Sequence, residues 1–389
     1  MIDYDKFLSP RVTAIPKSGI RKFFAIADEM KDVLNLTVGE PDFVTPRHIR
    51  EEAIESLKKG LTHYGANNGI LELRVEIDRY LTRRFNLSYD PKSDIIVTVG
   101  GSEAIDLAIR AILSPGDEAV IPLPAFVCYV PIVSLTGATP VIIQTKMRDN
   151  FKLTPEALKA AITDKTKLLI LPFPNNPTGA VMEKSELEEI AEIAKEANIL
   201  VLSDEIYAEL SYGFKHTSIA SLPDMRERTI LVNGFSKAYA MTGWRLGYAC
   251  APEPILSQMA KIHQYAIMCA PRTSQSAGIK ALRDGDEDIE YMKNDYDGRR
   301  KIILEGLRQI GIDCFEPKGA FYIFPSIEKF GLSSNDFCER LLYEEKVAVV
   351  PGTAFGDSGE GFVRICYAYS VSHINKALEK IEKFVGKIR

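Results

Sequence analysis

The sequence predicts an α/β protein with a large domain built on a mostly parallel seven-stranded sheet flanked by helices, followed by a smaller α+β domain. Short apolar runs alternate with helical patterns over 95–251, which is typical of parallel strands joined by crossover helices. After Pro271 the pattern changes to a long charged helix and scattered short strands. A chain of 389 residues is also long for one core. We therefore expect a large domain at 46–285 and a small domain formed by 1–45 and 286–389.

The first elements precede the sheet. Thr45 and Pro46 have the residue types of an N-cap and a first helical position, and Gly60 is a typical helix end. The other elements predicted here are a helical stretch at 18–30, an apolar run at 33–38 and an amphipathic helix at about 70–85.

The strands of the large sheet are predicted at 95–99, 119–122, 140–144, 168–171, 199–203, 229–232 and 246–251. Helices between them cover 102–113, 154–162 and 183–197. The last strand follows a connection too short for a crossover helix, so we expect it to be antiparallel to its neighbour. The small domain is predicted to contain strands at 312–315, 320–324, 348–350 and 362–367 and helices at about 284–310, 334–345 and from 371.

Composition excludes several classes of protein. A net charge of −5 provides no basic field for nucleic acid, and no apolar run approaches the roughly 20 residues that span a bilayer. The six cysteines form no CxxC pair, and the acidic, polar N-terminus is unlike a secretory signal. We expect a cytoplasmic enzyme with reduced thiols and no bound metal.

Polar residues follow the predicted strands at their carboxyl ends, where open α/β sheets bind ligands. Gly100–Glu103 forms a glycine turn into a helix, a cradle of N–H groups for phosphate, although many such turns bind nothing. Phe126 is either a rim aromatic or a core residue. Asn176 lies in a turn that leaves its amide free. Asp204, with Tyr207 three residues on, is costly to bury without a cationic partner.

Lys237 follows the next strand in a setting of Phe, Ala, Tyr and Met, with Arg245 eight residues further on. Its charge either reaches solvent or is lost on burial, and burial leaves a neutral amine that can form a Schiff base with a carbonyl. Together the residues at the strand ends predict a flat ligand with an anionic end, a carbonyl and a basic ring nitrogen. Pyridoxal 5′-phosphate meets each requirement.

Seven motifs then resemble one family nearly end to end, the fold-type-I class I/II aminotransferases. They are GEPDF (39–43), HYG (63–65), NNPTG (175–179), SDEIY (203–207), GFSKAYAMTGWR (234–245), KGAFYIF (318–324) and FVRICYA (362–368). The subgroup it most resembles contains the aromatic, broad-specificity and N-acetyl-diaminopimelate aminotransferases.

The resemblance implies a pyridoxal-phosphate-binding large domain. Lys237 would hold the cofactor as a Schiff base and shuttle protons, and Asp204 would pair with the pyridinium nitrogen. Tyr207 and Asn176 would bond to the phenolic oxygen, and Phe126 would stack on the ring.

Other residues would hold the phosphate and the substrate. The phosphate would be bound by Arg245, Ser236 and the backbone of Gly101, Ser102 and Glu103. Tyr64 would also contact it, from the neighbouring subunit of a homodimer. Arg364 would clamp the substrate α-carboxylate with Asn176 nearby, and Gly39 would close over the substrate. One position departs from the family, because Gly234 stands where a serine is common.

The identity of the substrate stays open at this stage. Pocket candidates are Ile15, Ile20, Tyr129 and Phe355, with Lys17 and Arg21 near enough in sequence to admit an acidic substrate. An aromatic donor with 2-oxoglutarate as acceptor is favoured, and aspartate, alanine and N-acetyl-diaminopimelate are alternatives. Other classes are a C–S β-lyase using the same cofactor, and a non-catalytic regulator, which would need a DNA-binding module.

Overall fold

The structure is a computed structural model that describes residues 2–16, 30 and 32–389. The helical stretch predicted at 18–30 lies almost wholly outside the described residues, as do Lys17, Ile20 and Arg21.

A seven-stranded sheet forms the centre of the molecule. Its strands are β2 (Ile95–Thr98), β3 (Glu118–Leu123), β4 (Thr139–Gln144), β5 (Thr166–Leu171), β6 (Leu200–Asp204), β7 (Thr229–Gly234) and β8 (Gly247–Cys250). Their order is β2-β8-β7-β6-β5-β3-β4. Strand β8 is antiparallel to both of its neighbours, and the other pairs are parallel. The predicted sheet and its one antiparallel strand are therefore confirmed.

The sheet is covered on both faces, which explains why its strands are apolar along their whole length. Neighbouring residues of a strand point to opposite faces. Leu202 and Ile230 pack with the helix that follows β2, whereas Val201 and Leu231 belong to clusters on the other side. All four residues are fully buried.

Two smaller sheets are built from the chain's ends. Strand β1 (Leu34–Asn35) pairs in parallel with β10 (Val347–Ala348). Strands β9 (Tyr322–Ile323), β11 (Val350–Pro351) and β12 (Val363–Cys366) form an antiparallel sheet in the order β11-β12-β9. The division into domains at residues 46 and 286 stays a prediction.

The helices of the described chain are α1 (Pro10–Thr13), α2 (Arg47–Lys58), α3 (Leu71–Phe85), α4 (Gly101–Ile112), α5 (Tyr129–Thr136), α6 (Pro155–Ala161), α7 (Lys184–Glu196), α8 (Glu253–Ala266), α9 (Arg272–Asp284), α10 (Asp286–Ile310), α11 (Ser334–Glu345) and α12 (Val371–Ile388). None of them is both long and apolar enough to span a bilayer.

One predicted strand, at 312–315, is wrong. Helix α10 ends there instead: the N–H of Gly311 donates to the carbonyl of Arg308, and that of Ile312 donates to the carbonyl of Leu307. Gly311 has φ +80°, as expected for a residue closing a helix in the left-handed conformation. The backbone that would begin a strand is thus used to end a helix.

The predicted N-cap at Thr45 is also wrong. Helix α2 begins one residue later than expected, with Pro46 in the cap position and no side-chain cap. The Thr45 hydroxyl is buried and donates to the carbonyl of Ala240 (2.6 Å), while Trp244 Nε1 donates to it (3.0 Å). The Thr45 hydroxyl therefore makes tertiary hydrogen bonds instead of capping α2 as the local pattern predicted.

This difference predicts the effect of replacing Thr45 by Asn. Asparagine caps helices as well as threonine does, so Thr45→Asn would be nearly neutral at an N-cap. Because the buried Thr45 hydroxyl makes two tertiary hydrogen bonds, to Ala240 and Trp244, we expect a loss of about 1–3 kcal/mol in the free energy of unfolding, measured by chemical denaturation. Thr154→Asn is the matched control, because Thr154 caps α6 by accepting from the N–H of Ala157. Equal effects of the two changes would contradict the prediction.

Candidate active site

A cavity of about 300 Å³ opens where β6 and β7 end, and β12 closes it from the smaller sheet. It brings together all but two of the predicted site residues, namely Gly39, Gly101, Ser102, Phe126, Asn176, Asp204, Tyr207, Ser236, Lys237, Arg245 and Arg364. The exceptions are Glu103 and Tyr64. No group of three or more His, Cys, Asp or Glu side chains in the described chain could hold a metal ion.

Lys237 lies three residues beyond β7, with its side chain partly buried in the wall of the cavity. Its Nζ donates to the carbonyl of Gly39 (2.7 Å) and lies 5.7 Å from the ring centroids of both Tyr207 and Phe321. Burial lowers the pKa of Lys237 to about 8, although the carboxylate of Glu40 acts in the opposite direction. At pH 7 a pKa of about 8 leaves roughly a tenth of this amine neutral and nucleophilic, far more than in an exposed lysine.

Asp204 ends β6 and is buried without a charged partner at its oxygens. Its Oδ2 accepts from the Tyr129 hydroxyl (2.7 Å) and its Oδ1 from the N–H of Ile206 (3.2 Å). Burial raises the pKa of Asp204, while these two hydrogen bonds lower it. A buried carboxyl held only by neutral donors favours a cationic group in the cavity, such as a protonated ring nitrogen.

Tyr129 was predicted to line the substrate's side-chain pocket. It does line the cavity, but its hydroxyl is committed to Asp204, so its contact with the site runs through that carboxyl. No sequence signal identifies this contact, because 75 residues separate the two partners.

One end of the cavity is formed by the start of α4 and by Arg245. Gly100 precedes the helix with φ +80°, and a Cβ there would lie 2.5 Å from Nη2 of Arg245. The guanidinium donates to the carbonyls of Thr242 (3.1 Å) and Val99 (3.4 Å). A cation, glycine backbone and a helix N-terminus together fit a phosphate dianion.

Glu103 and Gly234 lie near this end of the cavity, and both differ from what the family pattern implies. Glu103 does not offer a free N–H, because that group donates to the carbonyl of Gly100 (3.2 Å), and its carboxylate bonds to His263 (2.7 Å). The family serine would be crowded at Gly234, where an added Cβ would lie 3.0 Å from Cα of Gly247 on the paired strand, so the strand would have to shift slightly.

Arg364, on β12, forms the opposite wall. Its guanidinium stacks between the rings of Tyr322 (4.6 Å) and Phe355 (4.8 Å), and its Nη1 donates to Oδ1 of Asn176 (3.0 Å). Its buried Nε has no hydrogen-bond partner among the described residues. An unsatisfied guanidinium donor is suited to a carboxylate. Phe355 packs on Arg364 but, like Ile15, it is not among the residues that line the cavity.

Tyr322 is a site residue that sequence reasoning missed. Its hydroxyl lies 2.7 Å from that of Tyr207, and a Cβ on Gly39 would lie 2.1 Å from the same oxygen. The backbone can approach Tyr322 this closely only because residue 39 is glycine. Its position in the KGAFYIF motif was the available signal.

The residues present fit pyridoxal 5′-phosphate, since a buried amine, an acid without a cationic partner and a glycine cradle beside an arginine meet in one cavity. Fold and site thus define a pyridoxal-phosphate-dependent transaminase of fold type I. The chain belongs to the aminotransferase class I and II family, whose model matches residues 31–381. Enzymes of this family use pyridoxal 5′-phosphate, act on amino acids and 2-oxo acids and are commonly homodimers.

Individual relatives carry several substrate names. A putative aminotransferase of Bacillus subtilis, YugH, is 53% identical over 98% of this chain and 99% of its own. An aspartate aminotransferase of Pyrococcus abyssi is 48% identical over 97% of each chain. The crystal structure of an aromatic aminotransferase from Pyrococcus horikoshii is 46% identical, covers 95% of this chain and 99% of its own, and has a TM-score of 0.90.

The depressed pKa of Lys237 predicts selective labelling. In cofactor-free protein, the labelling rate of Lys237 by fluorodinitrobenzene, located by mass spectrometry, should rise through a midpoint near pH 8. Exposed lysines should rise near about pH 10.4. The sign follows from burial, which favours the neutral form and so makes the amine reactive at lower pH. A midpoint equal to that of the exposed lysines would contradict the buried amine.

Proposed function

We propose that the protein transfers the amino group of an aromatic L-amino acid to 2-oxoglutarate, with Lys237 as the base. The observation that carries this proposal is that the buried amine of Lys237 and the unsatisfied guanidinium of Arg364 belong to one cavity. One is suited to move a proton at the α-carbon, and the other is suited to fix the α-carboxylate.

In this proposal the cofactor is held at its phosphate, its ring nitrogen, its phenolic oxygen and its ring face. Arg245, Ser236 and the N–H groups of Gly101 and Ser102 would hold the phosphate. Asp204 would accept from the ring nitrogen, with Tyr129 keeping the carboxyl oriented. The remaining contacts are Tyr207 and Asn176 at the phenolic oxygen and Phe126 on the ring face.

When bound, pyridoxal phosphate supplies an electron sink that makes the α-proton of the amino acid acidic. Lys237 would take that proton on Nζ and return it as a general acid. Arg364 would hold the carboxylate as a planar fork, a geometry that a lysine does not offer. The Gly39 backbone would exclude water above the reacting carbon.

The choice of an aromatic donor rests on charge. The described residues that line the cavity include three cations, Lys237, Arg245 and Arg364, and each already has a role. An aromatic side chain needs no further cation, whereas the second carboxylate of aspartate does. The Pyrococcus horikoshii relative supports this choice. Aspartate is the second candidate, supported by the Pyrococcus abyssi relative. The second carboxylate of 2-oxoglutarate is one methylene farther from the reacting carbon than that of aspartate, and in this proposal it stays hydrated at the open side of the cavity, so it needs no further cation.

A panel of amino donors with 2-oxoglutarate tests the proposal. We expect phenylalanine and tyrosine to give kcat/KM values at least roughly tenfold above that of aspartate, because one unpaired buried charge costs more than about 1.4 kcal/mol. Glutamate formation is the measurement. Aspartate as the better donor would reject the aromatic assignment. Lys237→Ala should abolish turnover with every donor, and turnover in that variant would reject the proposed base.

Hybrid dimers test the proposed role of Tyr64. Its side chain is 83% exposed in the single chain and lies outside that chain's cavity lining. A hybrid of one Lys237→Ala subunit and one Tyr64→Ala subunit would contain one complete site if each site uses Tyr64 of the partner subunit. We therefore expect roughly half of the wild-type activity in the purified hybrid, because a two-fold dimer has two equivalent sites. Two parental dimers of low activity and an equally inactive hybrid would place Tyr64 in its own subunit's site.

A further inference from the structure

The turn at residues 39–43 covers the reactive lysine but is not held by its own backbone. In the described chain, the backbone groups of residues 39–44 form no hydrogen bond to other backbone groups. Gly39 instead accepts from Nζ of Lys237, and Glu40 accepts from the Thr242 hydroxyl (3.2 Å). Something outside the turn must therefore fix its position.

Arg299, on α10, supplies the strongest of these contacts. Its side chain is 7% exposed, and its Nη1 donates to Oδ1 of Asp42 at 2.8 Å. Its Nε donates to Oδ1 of Asp295 at 2.7 Å, one helical turn away. The guanidinium thus joins the turn to α10 with two carboxylates to offset its burial, and charge-assisted pairs of this kind are the stronger hydrogen bonds.

Aromatic packing makes the same connection. The guanidinium lies 5.2 Å from the ring centroid of Phe43 and 5.4 Å from that of Tyr296. Phe43 also meets the rings of Tyr296 (5.5 Å) and Tyr291 (5.9 Å) edge-on. Both ends of the Asp42–Phe43 pair are therefore attached to α10, and the turn follows that helix.

We propose that Arg299 is a positioning residue for the amino-acid substrate, because it holds Gly39 against the cavity through Asp42. This inference rests on the proposed function, in which Gly39 closes over the substrate. Of the turn's residues only Gly39 lines the cavity, and the groups proposed to hold the cofactor lie on other segments. Loosening the turn should therefore weaken amino-acid binding and leave cofactor binding intact.

The neighbouring Arg300 provides a matched control. Both arginines are 6% exposed. Arg300 also binds two carboxylates, Asp297 and Glu316 (both 2.8 Å), and stacks on the Tyr212 ring (5.5 Å). None of these three partners belongs to the turn. Arg299→Lys and Arg300→Lys therefore each remove a buried guanidinium that binds two carboxylates, and we expect only the first change to affect the turn.

The test compares Arg299→Lys, Asp42→Asn and Arg300→Lys as holoenzymes. We expect the first two to raise KM for the amino donor roughly tenfold or more, since each breaks a charge-assisted hydrogen bond. We expect kcat to change much less and the cofactor dissociation constant, from absorbance titration, to stay at the wild-type value. Arg300→Lys should leave KM unchanged. An unchanged KM in Arg299→Lys, or an equal rise in Arg300→Lys, would overturn the inference.

A binding measurement separates this inference from the proposed function. Trp244, the only tryptophan, donates to Thr45, two residues beyond the turn, so its fluorescence should report donor binding without turnover. If the wild type binds donors but transfers no amino group, the proposed function fails, and a tenfold weaker affinity in Arg299→Lys would still support the positioning role. Equal affinities in the two proteins, or no donor binding by the wild type, would reject the positioning role.

Discussion

Burial of the Lys237 amine is the constraint on which the rest of the site depends. Burial disfavours the charged form of the amine, and the pKa of Lys237 falls to about 8 as a result. The cavity must then exclude water while leaving the amine free of a carboxylate partner. The rings of Tyr207 and Phe321 and the carbonyl of Gly39 meet both conditions.

The large sheet brings the other polar groups of the cavity together. Parallel strands bring their carboxyl ends to one edge, so residues far apart in sequence converge without long loops. Asp204 ends β6, Lys237 follows β7 and the phosphate cradle follows β2. The antiparallel β8 separates β2 from β7 and crowds Gly234, where any side chain would meet Gly247. The same packing that orders the sheet thus favours glycine at residue 234.

The smaller sheet and α10 complete the site from the other side. Arg364 faces the cavity from β12, with its guanidinium held between two aromatic rings and one donor unsatisfied. The turn that carries Gly39 is attached to α10 through Arg299. In the proposed function the large sheet carries most of the cofactor contacts, while β12 and the turn attached to α10 carry the substrate contacts, so we expect changes on α10 to affect substrate binding and not cofactor binding.

The sequence by itself determined the α/β class, the seven strands and most cavity residues, because these depend on local periodicity and on motifs contiguous in the chain. It misassigned Thr45 and 312–315, where local patterns were overridden by a buried bridge to Trp244 and by the end of α10. Only the tertiary structure decided the pairing of Tyr129 with Asp204 and of Arg299 with Asp42, 257 residues away. Such contacts leave no periodic trace, since they arise from packing between elements rather than within them.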